Sequence, residues 1–505
     1  MADSNFDIVI IGSGVGGGCV ALSLADTGAR ILILERGERL PREAQNWDPE
    51  AVFVDNRYRT RETWYDGAGK AFRPGQFYYV GGHTKVYGTA MFRFRERDFE
   101  GIEHADGATV PWPVRYLDLE PWYAQAERVF GVHGRAGDDP TEPPRSGPFP
   151  HPPIPHEPII GEVFERMKAR GLHPSHMPAA IDFHPGGTCI RCGTCDGFPC
   201  KIGAKGDAET RLIDPALKYP NVKLQTGSLV RRLIADERGK RVVACEFERG
   251  GEIRNVGARL FVLSAGAINS AAVLLRSISG NNPNGLANSS GVVGRYYMNH
   301  NCTAIMAVTP WRVNDTRYPK TLTLNDYYFG GNASQRPLGN LQLLGKIKEP
   351  MLRGALPNLP RWSRAWLARH SVDWYVMSED LAQADSSVRL RNDGAIQLTW
   401  KRSNLRAHRR WVEVAKQLLK DVGFPIVASK PFGTDTPSHQ CGTARFGDDP
   451  ATSALDPWCR AWDHDNLYVV DASFFPSSAA LNPALTVAAQ ALRVGAHLKS
   501  RLHEF

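Results

Sequence analysis

Residues 7–36, DIVIIGSGVGGGCVALSLADTGARILILER, decide how this chain begins to fold. Ile8 to Ile11 is a short, unalternating apolar run, the pattern of a strand buried on both faces of a parallel sheet. Gly12, Gly14 and Gly17 follow at GxGxxG spacing and open an Ala- and Leu-rich helix that ends near Gly28. A second apolar strand, Ile31 to Leu34, finishes on Glu35. Each glycine has a physical reason to be there. Gly12 permits the tight turn, Gly14 lets a pyrophosphate approach closely, and Gly17 lets helix and strand pack. The helix start then offers unpaired N–H groups and a partial positive charge to phosphate. Glu35 stands where an acid accepts ribose hydroxyls, which favours FAD or NAD over NADP.

Three distant segments separate those two dinucleotides. VGGHTKVYG (80–88) is a second glycine-rich turn, and PSHQCGT (437–443) precedes a loop. LYVVDASFFPSSAALNPALTVAA (467–489) reads as a strand, an acid, a loop and a helix. With the N-terminal fingerprint, this ordered layout resembles the glucose–methanol–choline (GMC) oxidoreductases through nearly the whole chain. It is most similar to their pyranose-oxidase-like and C-glycoside-oxidase-like branch. The fold class this implies is α/β: a Rossmann-like FAD-binding domain interleaved with an α+β substrate domain whose antiparallel sheet roofs the flavin.

The resemblance also implies site residues. Gly81, Gly82, His83 and Thr84 would pass beside the flavin ring and pyrophosphate. Val230 would contact adenine, Ala265 and Gly266 would lie under the adenine–ribose portion, and Asp471 and Ala472 would hold the ribityl–phosphate region. Pro483 and Thr486 join the cofactor-binding set from the last helix. Some relatives attach FAD through a His in the second glycine motif. Val86 takes that place here, with His83 nearby, so non-covalent FAD is implied.

Oxidising an alcohol requires a base for the hydroxyl proton and a fixed line from C–H to the flavin. Histidine suits the first role through its near-neutral pKa. With 15 histidines in the chain, a lone one is usually structural. His439, within SHQCGT, matches the family's active-site histidine, its bland alternative being to order a cofactor-contacting loop. Asn482 is the implied partner that hydrogen-bonds the substrate oxygen. Asn482-Pro483 is also a favoured N-cap and first helical pair, so the asparagine has a competing role as a cap.

Cys189, Cys192, Cys195 and Cys200 fall at CxxCxxCxxxxC spacing. Such a set could ligate an iron–sulfur cluster or zinc, or form a structural thiol loop. A cluster would pass electrons singly to a partner protein; without one, oxygen, a quinone or a redox protein takes electrons from the flavin. The rival functions are a flavoprotein subunit of that cluster-bearing kind and a lyase of the same fold whose flavin never cycles.

The bulk composition narrows the field further. At 505 residues the chain exceeds one compact core. The net charge of +8 comes without any nucleic-acid-reading motif, so a small-molecule alcohol is the expected partner and nucleic acid is not. No apolar stretch is long enough for a membrane span, and no leader precedes the first strand, so the expected address is cytoplasmic. The FAD domain is expected from 1–45, 78–100, 185–300 and 430–505, and the substrate domain from 46–77, 101–184 and 301–429. Ser386 to Trp400 reads as a hairpin turning at Asn392-Asp393-Gly394 and roofing the flavin. The basic stretches Arg353 to Arg369 and Lys401 to Lys420 read as amphipathic surface helices. The prolines between Pro140 and Pro158 read as a surface connection.

Overall fold

The computed structural model describes residues 6–436 and 438–505. Residues 1–5, where the expected cofactor domain begins and where no leader is expected, lie outside the described residues. So does Pro437 of the PSHQCGT segment.

Strand β1 (Ile8–Ile11), helix α1 (Val15–Leu24) and strand β2 (Ile31–Leu34) follow one another along the quoted stretch. Every residue of both strands is buried, which explains why neither alternates. With β3 (Val222–Gln225), β4 (Leu260–Leu263) and β5 (Leu467–Val469) they form a five-stranded sheet in the order β3-β2-β1-β4-β5. All neighbours run parallel; Ile8 pairs with Ile31 on one side and Leu260 on the other. The chain leaves β1 through Gly12 at φ +99°, where a Cβ would stand 2.2 Å from the Ser264 carbonyl oxygen. Only glycine lets this turn pass the end of β4. Helix α2 (Ala484–Arg501) closes the chain and packs along α1.

A second, six-stranded sheet is antiparallel throughout. Its order is Ile426–Pro431, Asn301–Val308, Ser371–Ser378, Asn340–Leu343, Leu322–Leu324, Ser175–His176. Alternation along its strands divides two environments. Ile305, Trp374 and Val376 face helix Leu405–Asp421 and its buried Trp411, while Ala304, Met306 and Tyr375 face a large cavity. The antiparallel sheet therefore covers the opening at the carboxyl ends of the parallel one, the place where open α/β sheets bind ligands.

The hairpin forms as Ser387–Leu390 and Ile396–Thr399, with Leu390 opposite Ile396 and Gly394 at φ +78°. Its turn, Asp393 to Ile396, lines the large cavity, while its strands reach into the core. Val388, Ile396 and Leu398 are buried in the main core, and Arg276 donates to the Gly394 carbonyl at 2.9 Å. The hairpin is thereby drawn to the helix Ala267–Arg276 and joins Trp64–Asp66 and Ala71–Phe72 in a separate four-stranded sheet. The six-stranded sheet supplies the larger part of the cover, through Ala304, Met306 and Tyr375.

Of the basic stretches, Leu405–Asp421 is a helix burying Ala407, Trp411, Ala415 and Leu418 on one face. The other is helical only over Arg361–His370, because Pro357 and Pro360 interrupt an earlier start. The proline-rich run carries no helix until Pro158, which opens Pro158–Lys168 from its first position. Among the described residues, no helix is long and apolar enough to cross a membrane.

Candidate active site

A cavity of about 1410 Å³ separates the two sheets and runs from the end of β2 to the loop carrying His439. One end is built on the glycine turns. Helix α1 begins at Gly14 with no side chain capping it and no acid in its first turn. Its positive end therefore remains available to an anion. A Cβ on Gly14 would meet no protein atom within 4 Å, so that position opens onto the cavity. The second turn, Gly82–Lys85, lies against the first: a Cβ on Gly82 would approach the Gly14 Cα at 3.3 Å. Gly81 N–H donates to Ser13 Oγ at 3.1 Å, and Thr84 Oγ1 donates to the Gly81 carbonyl at 2.6 Å. His83 faces the same space with Nε2 2.7 Å from Gln76 Oε1; burial pushes its pKa down to about 4.

At the end of β2, Glu35 accepts from Ser13 N–H at 3.0 Å, Ser13 Oγ at 2.6 Å and Gly37 N–H at 2.9 Å. Burial raises its pKa despite these donors. Val230, Ala265, Gly266, Asp471 and Ala472 continue the lining. Asp471 binds the surrounding loops: it accepts from Gly266 N–H at 2.9 Å, Ser270 Oγ at 2.5 Å and Ser473 N–H at 2.9 Å. Gly17 sits behind the lining, its N–H donating to Ser264 Oγ at 2.8 Å. Thr486 also turns away, fully buried with its hydroxyl 2.7 Å from that of Tyr123. An open glycine cradle, a free helix start and a buried carboxylate at the end of β2 are the donor set a dinucleotide requires, and FAD fits it.

At the other end, His439 and Asn482 meet. Asn482 Nδ2 lies 3.3 Å from His439 Nε2, and Asn482 Oδ1 accepts from Gln342 Nε2 at 2.8 Å. The asparagine does not cap α2, which starts after Pro483 without a side-chain cap. Its amide is instead oriented by the antiparallel sheet, through Gln342 and Asn340, whose side chains are 2.8 Å apart. Behind the ring, His439 Nδ1 lies 2.9 Å from His300 Nδ1, and the His439 N–H donates to Asn299 Oδ1 at 3.1 Å. Burial, with His300, Lys320 and His83 as neighbours, holds the His439 pKa well below the ordinary histidine value. Lys320 is itself paired with Asp196 at 2.9 Å. His300, Asn299 and Gln342 have no signal in the sequence, because they lie 139, 140 and 140 residues from the groups they support. No spacing rule spans such distances.

The cysteine segment lies beside this cavity, where Asp196 and Gly197 line it. Buried Lys205 shapes the loop, its Nζ donating to the carbonyls of Tyr87, Cys195 and Phe198 at 2.8, 2.9 and 2.8 Å. Cys189, Cys192, Cys195 and Cys200 are free thiols. Burial pushes that of Cys195 up to about 12, and Cys192 Sγ pairs with Thr194 Oγ1 at 3.3 Å. Among the described residues, no three His, Cys, Asp or Glu side chains are gathered as metal ligands. The iron–sulfur alternative therefore finds no support in the arrangement.

The chain is also similar to known proteins. Residues 6–302 and 382–491 match the amino- and carboxyl-terminal family models described as GMC oxidoreductase. Paromamine 6'-oxidase of Streptomyces fradiae is 33% identical, the match covering 97% of this chain and 91% of the relative. The 6'''-hydroxyparomomycin C oxidase of Streptomyces lividus is 32% identical over 99% and 92%. Among solved structures, pyridoxine 4-oxidase from Mesorbium loti superposes with a TM-score of 0.67 at 19% identity, covering 98% of this chain and 99% of that one.

Proposed function

This chain belongs to the GMC oxidoreductase family, and from that premise we propose that it oxidises a hydroxyl group of a sugar, glycoside or aminoglycoside-like polyol. FAD, when bound, supplies the two-electron acceptor for the hydrogen leaving the carbinol carbon. The observation that carries the reading is the pairing of Asn482 Nδ2 with His439 Nε2 at the end of the cavity. In the neutral pair the amide donates and the imidazole accepts. A hydroxyl group both accepts and donates, so it satisfies both partners when it takes its place between them. Asn482 then holds the substrate oxygen, and His439 Nε2 takes its proton.

Gly12, Gly14, Gly81, Gly82 and the start of α1 would receive the pyrophosphate, and Glu35 the adenosine ribose. Val230, Ala265 and Gly266 would flank the adenine side, and Ala472 and Pro483 the flavin side. Thr84 and Asp471 shape these loops through their own hydrogen bonds. The cofactor would be held without a covalent link: Val86 carries no nucleophile, and the His83 ring is engaged by Gln76. The division into a cofactor part (1–45, 78–100, 185–300, 430–505) and a substrate part belongs to the same reading.

The aminoglycoside-modifying relatives give the first compounds to try. The holoprotein should convert one member of a panel of aminoglycosides, glycosides and free sugars into a product lighter by two hydrogens and trapped by a carbonyl reagent. Elimination or cleavage products with no net oxidation would replace this reading with a lyase.

A further inference from the structure

We propose that His300 is a positioning residue that holds His439 in the tautomer whose Nε2 lone pair faces the substrate, an inference that rests on His439 being the base. His300 sits on the residue before strand Asn301–Val308 and is 1% exposed. Its two ring nitrogens have different partners: Nε2 lies 2.9 Å from the Ser478 carbonyl oxygen, and Nδ1 lies 2.9 Å from His439 Nδ1.

A carbonyl oxygen only accepts, so His300 Nε2 carries a proton. Burial lowers the His300 pKa, keeping the ring neutral, and a neutral imidazole has one N–H. His300 Nδ1 is therefore an acceptor. His439 Nδ1 must be the donor to it, which leaves His439 Nε2 as the acceptor aimed at Asn482 and the cavity. The opposite tautomer would set two lone pairs against each other at 2.9 Å and two N–H donors against each other at the Asn482 end.

The arrangement also serves the protonated state. When His439 Nε2 takes the hydroxyl proton, the positive ring keeps its Nδ1–H donated to His300. The Asn482 amide is set from the other side by Gln342. The backbone is set as well: Asn299 accepts the His439 N–H, and Met298 and Cys441 exchange hydrogen bonds at 3.0 and 2.9 Å. The segment before the strand thus holds both the loop and the ring that the chemistry uses. The charged and titratable groups facing His439 are His300, Lys320 and His83, with the Tyr375 ring at 6.4 Å.

Two experiments decide this. Nitrogen-15 spectra of histidine-labelled holoprotein at neutral pH, with the His439 signals assigned by their loss in His439→Gln, should show protonated Nδ1 and bare Nε2. A protonated Nε2 overturns the proposal. In the second experiment, His300→Leu removes the acceptor, while His300→Gln offers a carbonyl oxygen to His439 and an amide to Ser478. The leucine variant should slow substrate-driven flavin reduction by about 100-fold with little change in KM. The glutamine variant should recover to within about tenfold of the parent. Equal rates in both variants would overturn the role of His300. A His439→Ala enzyme as fast as the parent would instead overturn the reading beneath it.

Discussion

To serve as the proposed base His439 has to be neutral, and its surroundings arrange this. Burial disfavours its charged form, and the Lys320 ammonium acts in the same direction. The sign of the consequence is definite. A histidine of ordinary pKa loses half its base form near pH 6.5. One whose pKa is depressed keeps the base form through that pH and loses it only further into acid. Flavin reduction at saturating substrate should therefore stay level as pH falls through about 6.5 and decline only below it. Stopped-flow rates across that window check this; a break centred on the ordinary histidine value would show that His439 is not held as described. Asn482 illustrates what local reasoning leaves open at this scale. Asn-Pro before a helix reads equally as a cap and as a substrate ligand. The structure removes the cap: Gln342 takes the Asn482 oxygen from a distant strand, and α2 starts without a side-chain cap.

Among the elements, those carried by local pattern were legible and those placed by tertiary contact were not. β1, α1 and β2 appear where the apolar runs and glycines put them, since a doubly buried strand and a glycine turn are encoded within a few residues. The Asn392-Asp393-Gly394 turn likewise announced its hairpin. Which sheet that hairpin would join depended on Val388, Ile396 and Leu398 finding the main core, and no pairing rule within the hairpin specifies that. Helix Leu405–Asp421 connects element to site. Its Trp411 is fully buried and donates Nε1–H to the Asn340 carbonyl at 3.1 Å, and Asn340 begins the amide chain that reaches Asn482. Trp411→Ala should cost about 3–5 kcal/mol of stability, the usual range for emptying a large aromatic site. A urea midpoint essentially unchanged would mean that this helix does not hold the sheet in place.

Over the whole molecule, the parallel sheet supplies the glycine turns, the antiparallel sheet supplies the cover, and the chemistry lies where the two approach. Four chain segments far apart in sequence meet there: the first turn, the second turn, the SHQCGT loop and the start of α2. The turns among them were legible along the chain, because each carries its own backbone requirement. The supports behind His439 and Asn482 were not legible, since a single His, Asn or Gln in a strand has no local signature. The cysteine segment shows the opposite failure, in which a suggestive spacing is built into a loop pinned by Lys205 without gathering metal ligands. The central claim is that this cavity oxidises an alcohol with FAD as acceptor and His439 as base. Its most direct test is the anaerobic absorbance of the holoprotein and of a flavin-replete His439→Ala variant, each mixed with the polyol that the parent consumes. The parent's flavin should bleach, and the variant's should bleach at least about 100-fold more slowly; equal rates, or no bleaching in the parent, would contradict the account.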